Sequence, residues 1–215
     1  MSTVKRQSTV KRPAQPRPAT VARRAEVVRS ALDVFGAKGY ANGTLIDIAE
    51  LVDMTPAGIL HHFGSKDQLL LEVLSYRDAT DVQDLDDQHI PGGIDLFKHL
   101  IRTAAANAQR AGIVQAFVVL SAESVTEDHP ARHYFDDRYR TLRREIAEAF
   151  EVVCAERGVD APETIHRAAA SILAVMDGLQ VQWLIDPADV DLAETSEYAI
   201  RVIVESVLGP GALDD

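Results

Sequence analysis

Thr55, Gly58, His61 and His62 recur at helical spacing on one face of the segment running from Thr55 to Phe63. They offer hydroxyl, imidazole and bare peptide groups, while Ile59 and Phe63 supply the opposite, apolar side. A polar face of that kind can read base edges or grip phosphates without a nucleophile or a metal. The same segment could also be one arm of a helical hairpin buried in a core, and its residues alone leave both readings open.

Other constellations carry less. His129 and His133 are four apart, and Glu163-x-x-His166 has one half of the spacing used in carboxylate-bridged di-iron bundles, which need two such motifs and two further glutamates. No metal site is expected, and His129 before Pro130 reads as a helix-start residue. There is no Gly-x-Ser-x-Gly, no P-loop and no Gly-x-Gly-x-x-Gly, so neither a cofactor nor an enzymatic activity is expected. A single cysteine, Cys154, excludes an internal disulfide.

Charge is divided unevenly. The chain of 215 residues has a formal net charge of −11. Residues 1–66 hold ten Lys or Arg against five Asp or Glu, and residues 67–215 hold twelve against twenty-eight. A basic pole on an acidic body suits a protein that meets nucleic acid at one end only. The longest uncharged apolar run, Ala168 to Met176, is too short to span a bilayer, so a cytoplasmic protein without membrane contact is expected.

The elements that would position the polar face follow from capping and periodicity. Residues 1–19 repeat Ser-Thr-Val-Lys-Arg and then turn proline-rich, reading as a disordered basic arm. A first helix is predicted from Thr20 to Lys38, stopped by Gly39, with Val28, Ala31, Leu32 and Phe35 buried. Thr44 and Asp47 form a capping box ahead of a helix whose apolar face is Ile48, Leu51 and Val52, ended by Asp53. Thr55 caps the short helix and Pro56 takes its first position. Ser65 and Gln68 open the next helix at Lys66, which is expected to fray into the acidic run 78–88. After a break at Pro91-Gly92-Gly93, further helices are predicted through Leu96 to Ala105 and ending near Gly112, from Ile113 to Val125 (buried on most sides), after Asp128-His129-Pro130 to about Arg157, from Pro162 to about Ile185, and from about Leu192 to Leu208. The last two are apolar around most of their circumference, which calls for burial by the chain's own core and by a partner. The fold class is therefore all-α, about nine helices: a three-helix helix-turn-helix unit over 20–66 and a helical bundle over 67–215.

The combination Thr-x-x-Asp-Ile-Ala, a Thr-capped short helix and His-Phe-x-Ser-Lys-x-x-Leu-Leu, within Thr44 to Leu70, resembles the TetR family of bacterial transcriptional regulators. Gly39-Tyr40 adds to the match; the C-terminal part matches in outline and in the stretch from Met176 to Pro187. The resemblance implies a homodimer built on the last two helices, a palindromic double-stranded DNA operator, and a small-molecule effector pocket in the C-terminal bundle. A ligand there would move the helix that begins at Lys66 and separate the two DNA-reading heads. It implies that Thr44 binds phosphate, that Thr55, Pro56, Ala57 and Gly58 face bases or backbone, that His61 and His62 make groove or phosphate contacts, and that Lys66 pairs with phosphate. Two departures stand out: Asp53 where the family usually has Gly, and Leu60 where it has Tyr. Leu60 would then touch DNA through apolar contact, as with a thymine methyl.

Polar groups on otherwise apolar helices are the candidates for the pocket, because a buried polar group needs a partner and a ligand can supply it. These are Glu123, Tyr139, Asp177, Gln180 and Trp183, with Phe97, Phe117 and Met176 as apolar wall. The competing class is a helical enzyme or metal sensor built on the 67–215 bundle.

Overall fold

The computed structural model describes residues 18–83 and 90–214. Among the described residues there are nine helices and no strand: α1 (Pro18–Asn42), α2 (Leu45–Leu51), α3 (Pro56–Phe63), α4 (Lys66–Val82), α5 (Gly93–Asn107), α6 (Ala111–Glu123), α7 (Arg132–Arg157), α8 (Pro162–Ile185) and α9 (Leu192–Leu208). The all-α expectation is met. Of the basic arm, residues 1–17 lie outside the described set; Pro18 and Ala19 already belong to α1, which starts two residues earlier than expected.

Punctuation of the chain follows local chemistry. Gly39 interrupts α1 at φ 73, ψ 171, a conformation open essentially to glycine alone, so the predicted stop is real although helical turns resume to Asn42. Asp53 takes φ 49 at the turn between α2 and α3, and Gly158 ends α7 in the left-handed region. Helix α4 does not fray at Asp78 but continues to Val82, with Arg77, Asp78 and Asp81 tied into ion pairs; residues 84–88 of the acidic run lie outside the described set. Helix α5 ends at Asn107, and Gly112 falls inside the first turn of α6 instead of closing α5.

Two hydrophobic cores form. One joins α1, α2, α3 and α4 to α6 and the start of α7, around Phe35, Ile48, Ile59, Leu70 and Leu120. The other joins α5, α7, α8 and α9, around Phe97, Phe150, Ile172 and Val204. Tyr139 packs against both. Helix α1 packs most extensively on α6, where Gly36 lets the backbones close: a Cβ there would sit 3.2 Å from Ala116. The first core therefore runs continuously past Lys66 into α4 and α6.

Two expectations of burial are corrected. Leu51 is 62% exposed, because α2 turns Ile48, Ala49 and Val52 inward and Leu51 falls off that stripe. Helix α6 is buried on one side only: Val114, Ala116, Phe117 and Leu120 face inward, while Ala111, Gly112, Gln115 and Ala122 are exposed. Helix α8 is long and apolar enough by length and composition to cross a membrane, although only 33% of its most apolar window is buried within the chain. Its outer apolar residues, Val181 and Ile185, remain in the open.

Candidate functional site

At the first of two candidate regions, Thr44 and Asp47 fix the start of α2. The Thr44 hydroxyl accepts from the Asp47 N–H at 3.1 Å, and the Asp47 carboxylate accepts from the Thr44 N–H at 2.9 Å. Lys38 pairs with the same carboxylate at 2.8 Å and, with Thr44, holds the Asp47 pKa down at about 2. Thr55 accepts from the Gly58 N–H at 3.1 Å, with Pro56 in the first turn of α3 and Gly64 closing it. Ile59 and Phe63 are buried, which turns Thr55, Ala57, Leu60 and His61 outward and leaves Pro56, Gly58 and His62 half-buried. The predicted DNA-facing residues from Thr55 to His62 therefore lie along α3 and its cap, while Thr44 is exposed at the cap of α2. Gly58 keeps the face of α3 low, since a Cβ there would come within 3.3 Å of Met54 and of the Thr55 hydroxyl.

Lys66, expected to pair with phosphate, is half-buried at the start of α4. Its ammonium donates to the Tyr40 carbonyl at 2.5 Å and stands 4.2 Å from the centre of the Tyr40 ring, and burial pulls its pKa below the usual range. The Tyr40 hydroxyl in turn donates to Asp67. Lys66 thus ties the start of α4 to the corner after Gly39.

The short α3 is held by residues that sequence reading passed over. Arg23 donates to the carbonyls of Val52 and of Asp53, the latter at 3.1 Å, closing the turn between α2 and α3. Arg24 donates to the His62 carbonyl, stacks 4.3 Å from the centre of the Phe63 ring, and pairs with Glu72 at 2.7 Å. A guanidinium at the last turn of a helix also meets the negative end of its dipole. The available signal was the Arg23-Arg24 pair on a helix whose buried stripe starts three to four residues later.

The second region is a cavity of about 70 Å³ between α4, α5, α6, α7 and α8. Phe117, Tyr139, Met176, Asp177 and Gln180, five of the eight ligand candidates, stand on its wall. The other three do not. Phe97 packs on Phe150 in the bundle core, ring centres 4.5 Å apart. Glu123 turns toward the α1 corner, accepting from the Tyr40 N–H at 2.7 Å and lying 3.8 Å from His129. Trp183 sits farther along α8, half-exposed and off the wall. The cavity draws Leu96, Leu100, Leu173 and Met176 from one core and Phe117 from the other, so it lies on the seam between them.

A network of ions lies along one side of the cavity. Arg77, 7% exposed, bonds Asp81 at 2.8 Å and Asp78 at 3.2 Å, with its guanidinium 4.1 Å from the centre of the Phe117 ring. Arg138 pairs with Asp78, and Arg110 with Asp81; Arg110 also donates to Asn107 Oδ1 at 2.9 Å. Burial and the neighbouring Arg138 pull Arg77 below its usual range. The Tyr139 hydroxyl donates to Asp177 at 2.6 Å. Burial pushes the Asp177 carboxyl above the usual carboxylate range, against the opposing pull of that hydrogen bond. An open cleft of about 550 Å³ adjoins the cavity, sharing with it Asp81, Ile90, Arg138, Leu142 and Glu145. Among the described residues no group of three or more His, Cys, Asp or Glu side chains is placed to hold a metal ion.

Comparison with known proteins gives concordant matches. Residues 20–73 match the family description "bacterial regulatory proteins, tetR family", and residues 96–209 match the C-terminal domain of BetI-type transcriptional repressors. The probable HTH-type transcriptional regulator ArpR of Pseudomonas putida is 26% identical over 180 residues, covering 79% of this chain and 83% of that protein. TtgR, an HTH-type transcriptional regulator of P. putida, is 27% identical over 191 residues with the same shares covered. Among solved structures, a putative TetR-family regulator from Rhodococcus sp. superposes with a TM-score of 0.72 at 18% identity, covering 87% of this chain and 99% of that one. The SmeT–triclosan complex superposes with a TM-score of 0.71 at 17% identity, covering 89% and 94%. A Saccharomonospora viridis regulator in complex with choline gives 0.64 at 22% identity, covering 86% and 96%.

Proposed function

The chain belongs to the TetR family of bacterial transcriptional regulators, which bind DNA, and from that premise we propose that it is a dimeric repressor released from a palindromic operator by a small molecule held in its C-terminal bundle. In this reading the basic arm and residues 20–66 address DNA, and residues 67–215 bind the effector and the second subunit. Thr44 and the exposed face of α3, from Thr55 to His62, meet DNA. Leu60 makes apolar contact, and Lys66 steadies the corner beside the phosphates. The setting is the cytoplasm, where operator and effector meet the protein.

One observation carries the effector half of the reading: the cavity lies on the seam between the two cores. A molecule wedged there separates α6 and the head core from α7 and α8, and that separation is what must reach α3. Two solved neighbours carry small molecules, triclosan in one and choline in the other, which supports a small-molecule effector here. Five wall residues anticipated from sequence alone meet at one place, which supports it further.

The test is selection of bound duplexes from a random DNA pool, followed by titration of the winner with salt. The expected outcome is an enriched palindrome with half-sites about one helical turn apart. Its affinity should fall by about 10³-fold or more between 50 and 200 mM salt, as for a protein neutralising several phosphates. No enrichment, or an affinity indifferent to salt, overturns the reading.

A further inference from the structure

The cavity wall carries polar atoms that the protein leaves without partners. Asn107 is 2% exposed; its Oδ1 accepts from Arg110 at 2.9 Å, and its Nδ2 donor has no partner. Gln180 is 4% exposed, and its Oε1 acceptor has none. Both side chains line the cavity. A buried polar atom without a partner is a standing cost, recovered when an incoming molecule supplies the missing hydrogen bond. Arg138, also on the wall, has its Nε donor without a partner, although its guanidinium is paired with Asp78 through another nitrogen. Two sites therefore ask for an acceptor and one for a donor.

The charges say what the molecule is not. Around the cavity three guanidiniums, Arg77, Arg110 and Arg138, stand against the carboxylates of Asp78, Asp81, Asp177 and Glu145, and burial drives Asp177 toward its neutral form. With Asp177 neutral, three guanidiniums stand against three carboxylates, so the surroundings carry no net charge, and an ionic ligand would give up its hydration without meeting an excess of the opposite sign. An anion would also approach through a cleft whose wall holds Asp78, Asp81, Asp137 and Glu145 against Arg138 as its cation. The rest of the wall is aliphatic, from Leu96 and Leu100 to Leu173 and Met176.

We propose that the cavity takes an uncharged amphipathic molecule that presents a carbonyl-type acceptor to Asn107 and an O–H or N–H donor to Gln180, and that it rejects organic anions and cations of the same shape. The proposal rests on the cavity being the effector site. Matched single-ring probes, each larger than the cavity of about 70 Å³ and so reaching from it into the adjoining cleft, test it by calorimetry on the full chain: 4-hydroxyacetophenone, which carries both groups; 4-methylacetophenone, without the donor; 4-ethylphenol, without the carbonyl; 4-hydroxybenzoate, an anion; and tyramine, a cation. The two-group neutral probe should bind at least about tenfold tighter than each of the others, the scale of one hydrogen bond. Gln180→Leu should abolish its advantage over 4-methylacetophenone alone, and Asn107→Leu its advantage over 4-ethylphenol alone. Equal or tighter binding of the anion or the cation overturns the proposal, as does absence of binding by all five probes. Thermal unfolding checks that each variant folds, and a Glu151→Gln variant, on the exposed side of α7 and off the cavity wall, should keep the preferences of the native chain. Binding with the expected preference but without any change in DNA affinity leaves the ligand class standing and sinks the effector role instead.

Discussion

At the scale of single residues, the corner from Gly39 to Tyr40 shows how little freedom the junction between head and body has. A Cβ on Gly39 would lie 2.2 Å from Glu123 Oε1, on a backbone at φ 73 that other residues avoid. Gly39→Ala is expected to cost about 1–3 kcal/mol, read as a lower denaturant midpoint at unchanged slope. Glu123 explains the crowding: it is placed to receive the Tyr40 N–H, so a residue expected in the pocket acts as a strut between α1 and α6. Sequence could not tell these roles apart, because a glutamate on an apolar helix looks the same whether its partner is a ligand or a backbone amide eighty-three positions away. Asp47 gives a pH prediction with a definite sign. Its folded pKa of about 2 lies below the ordinary value, so its stabilising contribution is present above the usual carboxylate range and lost as pH falls toward 2. The stability difference between the native chain and Asp47→Asn should shrink over that window, and an NMR titration of the Asp47 carboxyl should move back up in Lys38→Ala.

At the scale of elements, α3 is the weak part that the others exist to hold. Eight residues form little more than two turns, too few to persist on helix propensity. Thr55 secures one end, Arg24 clips the other, and Ile59 and Phe63 anchor the underside. Arg24→Met keeps the aliphatic stem but removes the bond to the His62 carbonyl and the pair with Glu72. A charge-assisted bond of this kind is worth about 1.5–3 kcal/mol, so DNA affinity should drop about tenfold or more. The loss should fall equally on all sequences, because Arg24 orients the helix without touching a base; a changed sequence preference in the selection assay would refute that role. Caps, prolines and glycines made these elements legible: the predicted bounds of α3, α8 and α9 coincide with the observed ones. What was not legible depended on partners distant in sequence. Leu51 follows the apolar pattern yet faces outward, and the acidic run after Tyr76 looks solvated until Arg110 and Arg138 arrive from other helices to claim Asp81 and Asp78. The pocket candidates divided for the same reason, since periodicity marks a face of α8 but not which core or surface it will meet.

For the whole molecule, the seam between the cores and the bare outer faces of α8 and α9 belong to one argument. Val181 and Ile185 stand one turn apart on α8, and Tyr198 and Val202 one turn apart on α9, exposed by 42%, 80%, 70% and 49%. Apolar residues paired at that spacing on two adjacent helices form a stripe that a second copy can cover, and the family is one of dimers. The proposed dimer matters to the cavity because α8 would serve both: Met176 and Gln180 face the seam while Val181 and Ile185 face outward. A ligand can separate two DNA-reading heads only if the helices behind the cavity are braced by the partner; in a free monomer the bundle would yield instead. Val202→Glu puts a charge into the middle of the stripe, where pairing two copies would bury like charges near each other. Sedimentation should then report the 23.5 kDa chain in place of a species of twice that mass. The monomer should retain its helical content and Tm within a few degrees, because Val202 lies outside both cores. Binding should fall from a whole palindrome to a half-site, and an effector that releases the native dimer should change the half-site affinity of the variant little. A dimer that survives Val202→Glu places the interface elsewhere. A monomer whose half-site affinity still falls as strongly with effector shows that the signal reaches α3 within one subunit, through α4 and α6, without any need for the brace.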